Sequence, residues 1–260
     1  MNIQKEFMKL KKGISVCIIT KNEENAIANC ISSLSWANEV IVLDSFSEDR
    51  TLEIAKKMNA RIYKRKFDNF AQQKNVCISY AKYEWVLSVD ADEVVTENLS
   101  RQILQLLNNE NIKYNGYKIP RITLYLNQWI KHSGWYPNYS IRLFKKNSGK
   151  FCSSAVHEKV IVTGKVGKIN FPLLHYSYRN ISEHINKINF YSTLIANEKF
   201  SQGESSSVLW AILKSISKFI LTYFWRLGIL DGKVGLIISV LGGYYNFQKY
   251  IKLWELKNKN

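Results

Sequence analysis

Cysteine is scarce and unpaired in this 260-residue chain: Cys17, Cys30, Cys77 and Cys152 form no C-x-x-C, and three of them fall in apolar-periodic segments. This argues against zinc clusters and a disulfide framework and points to a reducing compartment. Residues 1–12 are charged and lack the apolar run of a signal peptide, so a cytoplasmic location is expected. Glycine-rich phosphate loops are missing too: neither a Walker-type sequence nor G-x-G-x-x-G occurs. That argues against kinases and dehydrogenases, and a nucleotide bound here would be held by side chains and a metal. Acidic residues are few, 21 Asp plus Glu against 37 Lys plus Arg, giving a formal charge of +16. Such a surplus favours a polyanion, whether nucleic acid, anionic lipid or a phosphorylated substrate, without choosing among them.

Hydrophobic residues make up 46% and charged residues 22%, which is the composition of a folded protein rather than a disordered one. The first half alternates strand and helix patterns, predicting a layered α/β domain with a largely parallel sheet. The run ISVCIIT at 14–20 reads as a strand buried on both faces. Ile27, Cys30, Ile31 and Leu34 predict a helix over 25–34. A strand over 40–43 ends at Asp44, and a helix is expected over 48–58 with Glu48 and Asp49 in its first turn. A strand at 61–63, a helix at 70–81 and a strand at 85–89 follow, and then Asp90-Ala91-Asp92-Glu93. Beyond residue 112, strands over 117–126, 140–144 and 156–162 without full helices between them predict an antiparallel extension.

Asp90 and Asp92, one residue apart just past an apolar strand, can face a common divalent cation and a bound diphosphate. Hard oxygen ligands suit magnesium or manganese. Alone, the pair could equally cap a helix, but ligands gather at the carboxyl ends of strands in α/β sheets. Asp44 and the Thr20-Lys21-Asn22-Glu23 segment close two further strands, so three polar strand ends are expected to line one crevice. Three carboxylates in a polyanion groove would repel unless metal-bound, which disfavours nucleic acid as the partner.

These segments resemble the family 2 glycosyltransferases: ISVCIITKNEE at 14–24, VLDSFSEDRT at 42–51, FAQQKNVCISYA at 70–81 and WVLSVDADE at 85–93. RLF at 142–144, VHE at 156–158, LLHYSY at 173–178 and LDGKVG at 230–235 extend the resemblance toward the branch that builds the inner core of lipopolysaccharide or lipooligosaccharide. It implies the GT-A nucleotide-diphospho-sugar transferase fold, a Rossmann-like, mostly parallel sheet, with a C-terminal amphipathic helical extension. The expected division is a catalytic domain over 1–200, with a nucleotide-sugar half at about 13–110 and an acceptor half at about 111–200, then a membrane-associating extension over 201–260. The implied reaction is inverting transfer of a sugar, glucose by resemblance, from a uridine diphosphate sugar to a heptose or similar residue of a lipid-anchored glycan. By the same resemblance, Thr20, Glu23 and Asp44 would contact uracil and ribose, with Asn22 nearby and Gln72 and Lys74 near the base or diphosphate. Asp90 would touch ribose or metal, Asp92 would ligate the metal, His175 would complete the metal site, and Glu158 would be the general base. The chemistry fits: inversion needs a carboxylate to deprotonate the acceptor hydroxyl and a cation to neutralise the departing diphosphate. The same fold acting on a polyprenyl-linked glycan, a teichoic-acid-like polymer or a protein is the alternative, as is a noncatalytic membrane adaptor.

Trp129, Trp135 and Tyr136 cluster with His132 in a glycine- and proline-containing loop, either an acceptor wall or lid or core packing; Arg142 is a candidate phosphate partner. His157 either orients Glu158 or packs, and His132 and His184 carry no motif. Val208–Trp225 is strongly apolar, and on one helix Lys214, Lys218 and Arg226 would form a basic stripe beneath an apolar face that includes Trp225. That pattern fits an interfacial helix on an anionic leaflet, placing the protein peripherally on the cytoplasmic face of the inner membrane. The apolar stretch over 234–247, about 14 residues, is shorter than the roughly 20 that a spanning helix needs. Packing of the tail within the fold or into a dimer remains the other use of these aromatics.

Overall fold

In a computed structural model, residues 12–152, 159–178 and 180–259 are described. The chain divides into two units. The first holds the described parts of Met1–Arg121, Tyr139–Ser153 and Glu158–His175; the second holds Ile122–Asn138 and the described part of Tyr176–Asn260. The helical unit thus takes in residues on both sides of position 200.

Four parallel strands form the centre of the first unit: β1 (Ile14–Thr20), β2 (Glu39–Asp44), β3 (Arg61–Lys64) and β4 (Trp85–Asp90), in the order β3-β2-β1-β4. The apolar run of β1 is explained by burial on both faces. Ile14, Val16 and Ile18 join Trp85, Leu87 and Val89 in one core with Ile27 and Ile31 of α1 (Ile27–Ser32). Cys17 faces the other core, with Ile41, Leu43 and Val86, beneath Ala71, Cys77 and Ile78 of α3 (Phe70–Ser79). Each such fully buried aliphatic side chain contributes about 1.5–3 kcal/mol.

The helix expected to begin at Glu48 starts later, as α2 (Thr51–Lys57). Asp49 precedes it, accepting bonds from the Thr51 amide at 3.0 Å and the Glu24 amide at 3.0 Å, so the acid holds a turn before the helix begins. After β4 come β5 (Glu93–Val95) and α4 (Glu97–Asn108), the latter capped by the Thr96 hydroxyl and buried through Leu99, Ile103 and Leu107. The sheet continues through β8 (Asn138–Lys145), antiparallel to β4, to β6 (Gly116–Tyr125), β12 (Leu173–Tyr178) and β5. The short β7 (Gln128–Ile130) and β11 (Val166–Lys168) flank β6, and β9 (Gly149–Cys152) forms a separate two-stranded sheet with β10 (Lys159–Val162). Antiparallel pairing thus enters where the alternation with helices stops, as the sequence predicts, although β11 runs parallel to β6.

The second unit is built on α5 (Ile181–Ser201), α6 (Val208–Ile220) and α7 (Gly232–Lys259). Asn180 caps α5 and Ser207 caps α6 through side-chain oxygens. A π-helical turn, Leu221–Trp225, extends α6, and a 3-10 turn, Gly228–Asp231, leads into α7. The apolar stretch over 234–247 is part of that 28-residue helix. Gly243 lets α6 close on α7: a Cβ there would lie 3.1 Å from the Ser215 carbonyl oxygen. Asp231 is buried and fastens the 131–133 loop. Its carboxylate accepts from the Lys131 and His132 amides at 3.3 and 3.1 Å, bonds His132 Nδ1 at 3.0 Å, and accepts from Ser133 Oγ at 2.9 Å. Lys218 turns inward along Gly242, and burial, then the nearby Arg226, lowers its ammonium pKa.

Candidate active site

The register of the parallel strands gathers the polar strand ends. Thr20 pairs with Asp44 across β1–β2, and Ile19 pairs with Asp90 across β1–β4. Buried Asp44 accepts from the Ser47 amide at 3.0 Å and from the Ser47 hydroxyl, which shapes the loop after β2. Asn22, at φ 55°, ties the adjacent loop to it: its amide donates to Ser47 Oγ and its side-chain oxygen accepts from the Glu48 amide. The Glu23 amide donates to Thr51 Oγ1, while its carbonyl accepts the first amides leading into α1. Among the described residues, the buried Thr20 hydroxyl oxygen has no hydrogen-bond partner. An orphaned hydroxyl at the mouth of a sheet suits a bound ligand that would satisfy it.

Asp90 lies between two cations. Lys74 Nζ is 2.8 Å from Oδ1, and an Arg142 guanidinium nitrogen is 3.1 Å from Oδ2. Burial would raise the Asp90 pKa, but Arg142 and then Lys74 outweigh it and hold the carboxyl well below its ordinary range. Glu93, fully buried, sits behind this cluster. One oxygen accepts from Arg142 at 2.9 Å and lies 3.5 Å from Arg121; the other accepts from the Asp90 amide at 2.9 Å.

Asp92 is separate from this network and partly exposed, with His175 Nε2 3.2 Å from its Oδ2. The antiparallel register of β12 and β5 causes the meeting, because His175 pairs with Glu93, the next residue after Asp92. Among the described residues, no group of three or more His, Cys, Asp and Glu side chains converges on one point. A cation here would take at most a carboxylate oxygen and an imidazole nitrogen from these residues. Two protein donors fit manganese or magnesium ions that share substrate phosphates and water, not an all-protein cage.

The structure thus brings Thr20, Asp44, Lys74, Asp90, Asp92, Arg142 and His175 to one end of the first unit's sheet. Gln72 is exposed on the first turn of α3. The neighbouring Gln73 is the buried one, donating to Ser45 Oγ at 2.9 Å and to the Arg65 carbonyl at 3.1 Å. Glu158 and His157 lie outside the described residues. Trp129 and Trp135 belong to the second unit, where Trp135 packs with Tyr125, Tyr178 and His184 and Trp129 meets Tyr176 edge-on at 5.6 Å. Tyr136, also in that unit, is partly buried and precedes a cis proline bond. Glu93 and Gln73 are the site-supporting residues that sequence reasoning missed; only the proximity of Glu93 to the Asp-x-Asp pair signalled it.

The family model for glycosyl transferase family 2 matches residues 15–160. An uncharacterized glycosyltransferase of Rickettsia typhi is 32% identical over 96% of this chain and 89% of its own length. The lipopolysaccharide core biosynthesis glycosyltransferase LpsC of Rhizobium meliloti is 27% identical over 94% of this chain and 93% of its own. The crystal structure of Staphylococcus aureus TarS 1–349 in complex with UDP-GlcNAc covers 95% of this chain and 92% of that one, at TM-score 0.50 and 13% identity, a likeness of fold alone. The chain belongs to glycosyltransferase family 2 and has its GT-A fold.

Proposed function

We propose that this glycosyltransferase moves a sugar, glucose by resemblance, from a uridine diphosphate sugar to a heptose or similar residue of a lipopolysaccharide or lipooligosaccharide inner core, with inversion. The observation that carries the donor half is the pairing of Asp92 with His175 beside an Asp90 already neutralised by Lys74 and Arg142. Lys74 and Arg142 are committed to Asp90 and Glu93, so they do not by themselves offset a diphosphate's charge. That leaves a need for a cation, which Asp92 and His175 would hold. When bound, it neutralises the departing diphosphate.

The chain's own residues then do the rest. The Thr20 hydroxyl and the Asp44 loop receive the nucleoside, and the Lys74–Asp90–Arg142 cluster fixes the floor on which the diphosphate rests. Glu158, assigned by resemblance, takes the proton from the acceptor hydroxyl as its oxygen attacks the anomeric carbon opposite the diphosphate. The C–O bond to the acceptor forms as the bond to the diphosphate oxygen breaks. The inner-core acceptor is supported by the likeness to LpsC, and the uridine donor by the family resemblance and by the fold shared with a TarS solved with UDP-GlcNAc.

The test is metal-dependent hydrolysis of a panel of nucleotide sugars by the native protein and by Asp92→Ala. Slow hydrolysis of one donor, abolished by chelator and by the substitution, supports the reading. Absence of both hydrolysis and calorimetric UDP binding with manganese overturns it. Glu158→Gln is informative once an inner-core acceptor is supplied, where transfer should fall while donor binding persists.

A further inference from the structure

The second unit carries an apolar surface on its helical side. Along α6 and its π turn, Leu209, Leu213, Ile216, Ile220 and Phe224 recur at helical spacing and are exposed. The turn that follows adds Trp225, Leu227, Ile229 and Leu230, and the early part of α7 adds Leu236, Val240 and Tyr244. Exposure reaches 66% at Leu209, 78% at Trp225 and 63% at Leu230, too much for residues beneath a loop. Val208–Trp225 is long and apolar enough to cross a membrane by length and composition, yet only 11% of it is buried, so it is not a core helix. Large apolar side chains exposed in this number on neighbouring elements mark an interaction surface.

Charge identifies the partner. Between Glu204 and Glu255 the only acidic residue is Asp231, which is buried and hydrogen-bonded to the 131–133 loop. The same stretch carries Lys214, Lys218, Arg226, Lys233, Lys249 and Lys252. The sequence predicts a basic stripe under the apolar face, and the side chains are arranged to spare that face. Lys214 Nζ lies 4.4 Å over the Trp210 ring, and Lys218 runs along Gly242 of α7. The Asn246 amide bonds the Lys214 carbonyl at 3.3 Å, so α6 lies against α7 along this side. An apolar face without acids, edged by amphipathic lysines and exposed indoles, matches a bilayer interface with an anionic leaflet.

We propose that α6, the 225–230 turn and the start of α7 lie in the plane of an anionic bilayer, with Leu209, Trp225 and Leu230 inserted among the acyl chains. Because Asp231 closes that turn, the loop bearing Trp129 and Trp135 is fastened to the lipid-facing surface. The inference goes beyond the donor reading and does not depend on it, since nucleotide hydrolysis in solution is scored separately.

The experiment is co-sedimentation of the full chain with vesicles containing about one third phosphatidylglycerol, against vesicles of phosphatidylcholine alone. Binding to the anionic vesicles is expected, with apparent affinity falling about tenfold or more in Leu209→Ser/Trp225→Ser/Leu230→Ser. Lys214→Gln/Lys218→Gln should weaken it less, because those side chains are directed along the unit. Quenching by brominated lipid should fall in Trp225→Phe, a variant that keeps the surface apolar. Sedimentation equilibrium without lipid covers the other occupant. A dimer that the triple serine variant dissolves, with no vesicle binding by the native chain, would assign the face to a second copy and overturn the proposal. Equal binding to both vesicle types would overturn its anionic half, and a monomer that binds neither would overturn it altogether.

Discussion

His175 Nε2 lies 3.2 Å from Asp92 Oδ2, although 83 residues separate them in the chain. Neither β12 nor β5 alone makes this site; their antiparallel register does. If the pair holds the cation, Asp92→Asn and His175→Asn should each abolish the manganese enhancement of UDP binding while leaving its cation-free binding in place. Activity should fall by about a hundredfold or more, since the charge stabilisation such an ion supplies is several kcal/mol. Calorimetry with and without manganese checks this, and a variant retaining full enhancement would remove its residue from the site.

Glu93 should matter as much as the residues it stands behind. It is fully buried and faces Arg142, Arg121 and the Asp90 amide, so Glu93→Gln removes a buried negative charge from two guanidinium partners. Breaking one side of such a buried pair costs about 3–5 kcal/mol. The variant is expected to unfold at markedly lower denaturant and to bind UDP more weakly. Combining it with Arg142→Met should cost less than the sum of the two, because each single change already removes the same Glu93–Arg142 contact. Additive losses would show that Glu93 and Arg142 act independently.

The parallel half of the fold was legible because its strands are buried on both faces, and its polar ends follow directly from where those apolar runs stop. Asp44, Asp90 and Asp92 were readable for that reason. Glu93 was not: an acid after Asp-x-Asp reads as another solvent-facing residue until the arginines of β6 and β8 are brought against it. The choice between Gln72 and Gln73 depends on the rotation of α3 on the sheet, which one helical residue changes by about 100°. Helix α4, absent from the elements expected of the sequence, carries its signal in the Thr96 cap and in Leu99, Ile103 and Leu107, four residues apart. The inward turn of Lys218 was hidden because it depends on how closely the Gly242–Gly243 segment lets α6 approach α7.

Two glycines of α7 make opposite predictions. A Cβ at Gly235 would lie 1.9 Å from the Gly228 carbonyl oxygen, a backbone atom that cannot swing away. Gly235→Ala should therefore destabilise by about 2–4 kcal/mol, despite the better helix propensity of alanine. At Gly242 the nearest atom would be the flexible Lys218 Cε at 3.6 Å, so Gly242→Ala should be neutral or stabilising by up to about 1 kcal/mol. Chemical denaturation of both variants decides it. Equal effects would mean that the 3-10 turn moves away from α7 to admit the methyl group.

His184 gives the second unit a pH dependence of known sign. It is buried among Tyr125, Trp135 and Tyr178, with Nδ1 2.9 Å from the Tyr125 hydroxyl. Burial, aided by Lys187, lowers its pKa from 6.5 to about 4, while burial raises that of Tyr125 to about 12, so a neutral imidazole accepts from a protonated phenol. Below about pH 6.5 the unfolded chain binds a proton that the folded chain refuses until about pH 4. The stabilisation is therefore complete above the unfolded value and lost progressively as pH falls through this window. The loss is about 2 kcal/mol once partial solvent screening is allowed for. Denaturation of the native protein and of His184→Phe across that window isolates the contribution, since the other titrating groups are common to both. The variant should lose the acid-side slope that His184 adds, whereas parallel profiles would mean that the imidazole takes its proton in the folded state as readily as in water.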